Sequence, residues 1–189
     1  MKGMEKREKI LSEAEKLFSQ KGYYGLSLSE LLKRCDIPKG SFYYYFPEGK
    51  IQLIQETLRY SYERMAGHIA MRFQAEESAL ASFEHMADRL ASGVLGRRYF
   101  SSLLLSMISI ESVYLDARIQ ASCKRIYEDW QQLYADHLAR FGFDPEERVA
   151  KAQAIFALIH GSMVSAWIKQ DPTDLMLAKS SLRQLIGDR

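Results

Sequence analysis

The segment 38–50, PKGSFYYYFPEGK, concentrates side chains that can bind nucleic acid. Lys39 can reach the acceptor atoms of guanine, and Tyr43 can touch a base or a thymine methyl group. Gly40 would let the backbone approach DNA closely. The groups that can donate hydrogen bonds to phosphates are those of Ser41, Tyr44, Tyr45 and Lys50.

The elements before this segment are predicted to be two helices. Residues 4–20 carry an apolar stripe at helical spacing, and Gly22 ends it. Ser27 and Glu30 have the spacing of a capping box, in which each side chain satisfies a backbone amide at the helix start. This pattern predicts a second helix that runs to about Cys35.

A turn at 36–38 then leads into a short third helix, because the residue before a proline is pushed out of the helical region. The third helix covers roughly 39–45, and Pro47 is predicted to open a long fourth helix that extends to about residue 75. In a helix-turn-helix, the second helix of the motif enters the major groove and the first spans the backbone. The order of elements therefore predicts that residues 39–45 read DNA.

An alternative is that the three tyrosines at 43–45 form an aromatic strip of the core. Three adjacent residues cover about 300° of a helix, so they cannot all face one core. At least one tyrosine must point outward, while Phe42 and Phe46 share one face and are predicted to pin this helix to the two helices before it.

The remainder of the chain is predicted to be helical as well, which makes the fold class all-α. Proline is scarce, at 4 residues, and no stretch alternates like a strand. We expect a helix-turn-helix domain at 1–46 and a larger helical domain at 47–189. Its further helices are predicted over 78–92, 99–110, 116–140, 145–169 and 173–186.

Composition and motifs exclude several classes of function. The net charge of +2 is too small to indicate nucleic-acid binding on its own. The two cysteines lack ligand spacing, which predicts no metal and a reducing cytoplasmic setting. No nucleophile elbow, phosphate loop or HExxH is present, so the sequence predicts no enzyme and no cofactor. No apolar run approaches the roughly 18–20 residues that span a membrane.

From Glu8 to Leu53 the chain resembles the N-terminal domain of TetR-family bacterial repressors. The resemblance rests on the helix ending in LF, the following G-Y, the S-x-S-E-L helix and KGSFYYYF. The segment FPEGK has one residue more between the phenylalanine and the lysine than the usual family pattern. In this it resembles the LmrA/YxaF-like subgroup. Two later segments also resemble that subgroup, LLSMISIESVYLDARIQASCKRIYEDWQQLYADHLARFGF and HGSMVSAW. The resemblance implies base contacts by Lys39, Gly40 and Tyr43. It implies phosphate contacts by Ser27 and by Ser41, Tyr44, Tyr45 and Lys50, with Lys50 the most affected by the extra residue.

The resemblance also implies that the C-terminal domain binds a small-molecule inducer. Flat aromatic and flexible methionine side chains suit a lipophilic or planar ligand. Each one taken alone is better explained as plain core, and it is their number that predicts a pocket between the fourth and eighth helices. The predicted pocket residues are Tyr62, Met65, Phe100, Leu104, Met107, Tyr127, Trp130, His160, Met163 and Trp167.

By the same resemblance, the last two helices form a homodimer interface. A two-fold axis between the two copies would call for a palindromic operator. The predicted interface residues are Ile155, Ile159, Ser162, Ala166, Leu182 and Ile186.

The sequence thus predicts a homodimeric, ligand-released repressor that binds duplex DNA and no membrane. A different class remains open, namely a helical dimeric scaffold that binds a small apolar molecule without reading DNA.

Overall fold

The computed structural model describes residues 2–96 and 100–187, and the regular structure in these residues is α-helical throughout. The helices are α1 (Lys2–Gly25), α2 (Leu28–Cys35), α3 (Lys39–Tyr45), α4 (Lys50–Phe73), α5 (Ala79–Gly96), α6 (Phe100–Ser112), α7 (Ala117–Ala139), α8 (Pro145–Lys169) and α9 (Thr173–Ile186). The predicted all-α class is confirmed.

Packing divides the chain into two compact units. The first consists of Met1–Arg64 and Phe100–Ile126, and the second of Met65–Tyr99 and Tyr127–Arg189. Each unit combines two separate stretches of the chain, so this division does not test the predicted domain boundary after residue 46, which stays a prediction.

The first unit is built around α1, which packs against α2 and α6. The apolar stripe predicted for this helix is buried, as Ile10, Leu17 and Phe18 have no exposed surface. Phe42 and Phe46 are also fully buried and their rings stack at 5.3 Å between centroids. They pin α3 to the unit, as their shared helical face predicts.

Gly22 breaks α1 as predicted, although the residues after it return to helical geometry. Its backbone has φ 68° and ψ −175°, a region that side-chain-bearing residues rarely adopt. Glu111 of α6 fills the space beside it, and a Cβ atom at position 22 would lie 2.2 Å from Glu111 Oε1.

The second unit packs α5, α8 and α9 against one another. α8 begins with Asp144 at the N-cap and Pro145 in the first turn, as predicted, because proline needs no amide partner there. An aromatic core of Phe73, Phe83 and Tyr134 fills the unit beside these helices.

Among the described residues, α8 is long and apolar enough to cross a membrane by length and composition alone. It buries one side, including Ile155, Phe156 and Ile159, and it packs against α9. A core helix passes the same compositional test, and the packing of α8 favours that interpretation.

Candidate functional site

α3 presents the predicted DNA-reading residues on the surface of the first unit. Lys39, Gly40 and Tyr44 are exposed, Tyr44 with 82% of its surface. Tyr43 is 43% exposed and Ser41 and Tyr45 are half-buried. The tyrosine strip is therefore not a core strip, and the helix has one buried phenylalanine face and one polar face.

Gly40 has no structural role inside the chain that a larger residue would disturb. A Cβ atom built on it would meet nothing within 4 Å. Glycine inside a helix costs roughly 1 kcal/mol relative to alanine. Because packing within the chain does not require a glycine at this exposed position, the glycine is better explained by a binding partner whose atoms approach the α3 backbone closely.

The α2 helix begins at the predicted residue, but the predicted capping box does not form. Ser27 is the N-cap in an extended conformation and makes no side-chain cap hydrogen bond. Glu30 instead pairs with Lys21 at 2.6 Å and with Arg34 at 3.1 Å. Hydrogen bonds from these two cations lower the pKa of Glu30, and Lys21 has the larger effect. The Ser27 hydroxyl lies on the exposed surface, within hydrogen-bond distance of the Ser29 hydroxyl.

The extra residue of FPEGK is accommodated in a turn, so the fourth helix begins at Lys50 and not at Pro47. Gly49 has φ 70° and donates its N–H to Phe46 O at 2.9 Å, which closes the turn. Glu48 accepts a 2.8 Å contact from Arg118. A left-handed glycine thus absorbs the insertion between α3 and α4.

Lys50 is held within the first unit. Its ammonium donates to the carbonyl oxygen of Leu26 at 2.8 Å and lies 4.6 Å from the centre of the Tyr23 ring. Burial lowers the pKa of Lys50, and the nearby carboxylate of Glu111 acts in the opposite direction. Lys50 therefore fixes the connection that leads into α2, and its phosphate contact stays a prediction.

The end of α6 meets the same connection. Glu111 Oε2 accepts a hydrogen bond of 2.7 Å from the backbone N–H of Tyr23, directly after the break at Gly22. The Tyr23 ring in turn stacks on Phe18 of α1. A residue at the end of α6 thereby orients the chain that leads to the helix-turn-helix.

The second unit contains a cleft of about 350 Å³ between the C-terminal half of α4 and α5, here called the α4–α5 cleft. Its size is at the small end of the ~300–1,000 Å³ typical of ligand sites. Its floor is apolar and its rim carries charge. The lining residues are Met65, His68, Ile69, Arg72, Phe73, Glu76, Ser82, His85, Met86, Arg89 and Leu90.

The wall of this cleft is fixed by a buried histidine behind it. His137 stacks on Phe73 with 3.9 Å between ring centroids and 22° between planes. Ser82 Oγ donates to Ser78 O, so it accepts from His137 Nε2 at 2.7 Å. Burial lowers the pKa of His137 to about 4, and Arg140 adds to the shift while Glu76 opposes it.

Of the ten predicted pocket residues, Met65 lines the α4–α5 cleft. Tyr127 and His160 meet edge to face at 5.4 Å in the second unit, where Trp130 and Met163 are buried. Trp167 is half-buried there. Tyr62, Leu104 and Met107 belong to the first unit, and the side chain of Phe100 lies outside the described residues.

Sequence reasoning missed the charged members of this cleft. Basic residues follow the apolar ones by three positions on both helices, as in Met65 and His68 or Met86 and Arg89. That spacing was the available signal. It could not show that the two stripes face each other.

The residues predicted for a dimer interface lie inside the chain's own core. Ile155, Ile159, Ala166, Leu182 and Ile186 are each less than 5% exposed, because α8 and α9 pack on one another and on α5. Ser162 is half-buried. The chain itself covers the five buried side chains, and the part of these residues in a dimer interface stays a prediction.

The opposite face of α8 is open. Ala157, Gly161, Val164 and Ile168 follow one another at helical spacing, and Ile168 is 76% exposed. Leu177 of α9 is 61% exposed, and a Cβ atom at Gly161 would meet nothing within 4 Å. This small and apolar surface, here called the α8 outer face, is available to another helix.

Neither cysteine shows signs of reactivity. Cys35 and Cys123 are both buried and reduced, and burial raises the pKa of each thiol. Within the described ranges 2–96 and 100–187, no three metal-ligating side chains come together.

A helix-turn-helix with a polar outer face on α3, carried by a chain of further helices, defines a DNA-binding regulator. Two families match the sequence: "Bacterial regulatory proteins, tetR family" over residues 10–57, and "Transcriptional regulator LmrA/YxaF-like, C-terminal domain" over residues 79–181. The chain belongs to the TetR family of transcriptional regulators and to its LmrA/YxaF-like group.

Individual relatives agree with this assignment. The HTH-type regulator LmrA of Bacillus subtilis is 27% identical over 95% of this chain and 96% of its own length. The regulator YxaF of the same organism is 25% identical over 95% of this chain and 94% of its own length. Both relatives are named as HTH-type transcriptional regulators.

Solved structures share the fold. The reduced form of Escherichia coli NemR superposes with a TM-score of 0.85, covering 98% of this chain and 100% of that one at 23% identity. A TetR-family regulator from Agrobacterium tumefaciens gives a TM-score of 0.80 at 16% identity, covering 96% and 97% of the two chains.

Proposed function

We propose that this regulator is a cytoplasmic repressor that binds a palindromic operator as a homodimer and is released by a small lipophilic or aromatic ligand. The observation that carries the proposal is α3, which exposes Lys39, Gly40 and Tyr44 while Phe42 anchors it. An aromatic core segment would instead bury its tyrosines.

In the proposed complex, Lys39, Gly40 and Tyr43 meet base edges in the major groove. The phosphate contacts come from Ser27, Ser41, Tyr44, Tyr45 and Lys50. Ser41 and Tyr45 are half-buried, a position that suits side chains which reach the DNA phosphates beside the groove. Ser27 is exposed at the N-cap of α2, where the first helix of the motif would contact the DNA backbone.

The proposed dimer forms through the α8 outer face. Gly161 and Ala157 allow two helix backbones to approach closely, while Ile168 and Leu177 supply apolar area. Gly161→Arg should convert the dimer to a monomer in sedimentation velocity, whereas Gly67→Arg, also at an exposed helical glycine, should leave it a dimer. A dimeric Gly161→Arg variant would refute this surface.

Release requires that the ligand bind two conformers unequally, because a ligand with equal affinity shifts no equilibrium. The residues proposed to pass the conformational change to the helix-turn-helix are Glu111 and Lys50, which both contact the connection between α1 and α2.

An electrophoretic mobility shift on the DNA upstream of the protein's own coding region tests the function. A specific shift that resists excess random duplex supports a repressor. Absence of duplex binding at low salt would favour a helical scaffold instead, since phosphate contacts strengthen as salt falls.

A further inference from the structure

The α4–α5 cleft combines an apolar floor with a basic rim. Met65, Ile69 and Phe73 recur on one side of α4, and Met86 and Leu90 recur on the facing side of α5. Such surfaces bury the hydrocarbon part of a ligand, and the affinity for the ligand rises with each methylene group that is removed from water.

The rim is charged at both helices. His68 and Arg72 are one turn apart on α4, and His85 and Arg89 are one turn apart on α5; all four side chains are exposed. Guanidinium groups are the side chains best suited to bind a carboxylate or phosphate through paired hydrogen bonds.

One carboxylate also lies on this rim. Glu76 contacts His85 Nδ1 at 2.8 Å, so the acid is already engaged at one end of the cleft. Apart from the two histidines, the charged side chains that line the cleft are two arginines, Arg72 and Arg89, and one carboxylate, Glu76. The rim is therefore complementary to a single negative charge.

We propose that the α4–α5 cleft binds a small anionic amphiphile, with its apolar tail on the floor and its carboxylate between Arg72 and Arg89. This rests on the proposed function in one respect, namely that the occupant is the ligand that releases the operator. Independently of release, the cleft prefers an anion over a neutral molecule of the same shape.

Isothermal titration calorimetry on the full-length protein tests the preference with a matched pair of probes. Decanoate, below its micelle concentration, should bind at least about tenfold more tightly than 1-decanol, as loss of a charge-assisted contact predicts. Hexanoate and octanoate should bind more weakly by about fourfold per methylene removed.

Variants locate the site. Arg72→Gln and Arg89→Gln should each weaken decanoate about tenfold without changing the affinity for 1-decanol. Glu76→Gln removes the competing carboxylate and should tighten decanoate, a change of opposite sign that general damage to the fold would not produce. Arg148→Gln, in the first turn of α8 and away from the cleft, is the matched control and should match the wild type.

Three results would overturn the proposal: equal affinity for decanoate and 1-decanol, no binding of either probe, or unchanged decanoate affinity in both arginine variants. Failure of the proposed function is a separate observation. Wild-type protein that binds decanoate but no operator DNA would refute the repressor and leave the cleft as assigned. Operator binding that decanoate does not weaken would show a cleft without the releasing role.

Discussion

Glu111 at the end of α6 accepts a 2.7 Å hydrogen bond from the backbone N–H of Tyr23, and it occupies the space that a side chain at Gly22 would need. This contact joins α6 to α1 at the break in α1, although the two helices are far apart in sequence. The contact requires a residue without a Cβ atom at position 22.

Gly22→Ala should therefore destabilise the protein for two separable reasons. The backbone at φ 68° and ψ −175° strains alanine by about 1–3 kcal/mol. Displacement of Glu111 loses a hydrogen bond to a charged group, which costs about 1.5–3 kcal/mol. Urea unfolding of Gly22→Ala, Glu111→Ala and the double variant measures both parts. In the Glu111→Ala background, Gly22→Ala should add only the strain, so the double variant should be about as unstable as Gly22→Ala alone. Strict additivity of the two single effects would contradict this coupling.

Gly40→Ala should raise stability while it lowers operator affinity. Alanine in an exposed helix gains about 0.5–1 kcal/mol in the free energy of unfolding, and the open space at position 40 accepts its methyl group. The same methyl group would stand between α3 and the DNA.

Gly67→Ala is the control for this substitution. Gly67 is also helical and exposed with open space around it, but it lies on α4. Both variants should gain stability in thermal unfolding, and only Gly40→Ala should lose operator affinity. Full operator affinity in Gly40→Ala would remove position 40 from the interface.

Acid should destabilise the protein through His137. Its pKa is about 4 when folded and about 6.5 in the unfolded chain, so the unfolded state binds the proton first as pH falls. The free energy of unfolding is unaffected by this group above pH 6.5. It should decrease by about 2 kcal/mol at pH 5 and by about 3 kcal/mol near pH 4.

His137→Phe keeps a ring against Phe73 and removes the titration. Denaturant unfolding of both proteins at pH 7 and pH 5 should show a smaller loss in the variant by about 2 kcal/mol. The burial of His160 lowers its pKa with the same sign, which is why the difference between the two proteins is the informative quantity. Identical losses would show that His137 is not the responsible group.

Lys50 and Lys39 should differ in what their removal changes. Lys50→Gln loses the contact with Leu26 O and should lower the free energy of unfolding by about 1 kcal/mol, whereas exposed Lys39 should contribute nothing measurable. If Lys50 also reaches a phosphate, the slope of log affinity against log salt should fall by about one. An unchanged slope would restrict Lys50 to its structural contact.

Periodicity predicted the helices well because their boundaries depend on local chemistry. The α3 limits, the proline start of α8 and the break at Gly22 all follow from residues within one turn of the boundary. Helical geometry also predicted that at least one of the three tyrosines at 43–45 points outward, but not that Tyr43 and Tyr44 are the exposed ones. The start of α4 was misplaced because proline fits both a first helical turn and the turn that Gly49 closes.

The sites that depend on tertiary packing could not be predicted in this way. A stripe at Ile155 and Ile159 shows that one side of α8 is apolar, but not whether the chain itself or a second copy covers it. The contact of Lys50 with Leu26, and the α4–α5 cleft that Arg72 and Arg89 both line, also join residues on different elements. A local sequence pattern does not predict which residues of different helices lie close together.

The most direct test of the account is fluorescence anisotropy with a labelled duplex from the protein's own promoter, over a range of salt concentrations. Wild-type protein should bind it far more tightly than random duplex, with affinity falling steeply as salt rises. Lys39→Ala and Tyr43→Ala should lose this specific binding with unchanged thermal unfolding. Tyr114→Ala, which removes a tyrosine that is 83% exposed outside α3, should bind like the wild type. Operator affinity retained in both α3 variants would contradict the assignment of α3 as the DNA-reading helix.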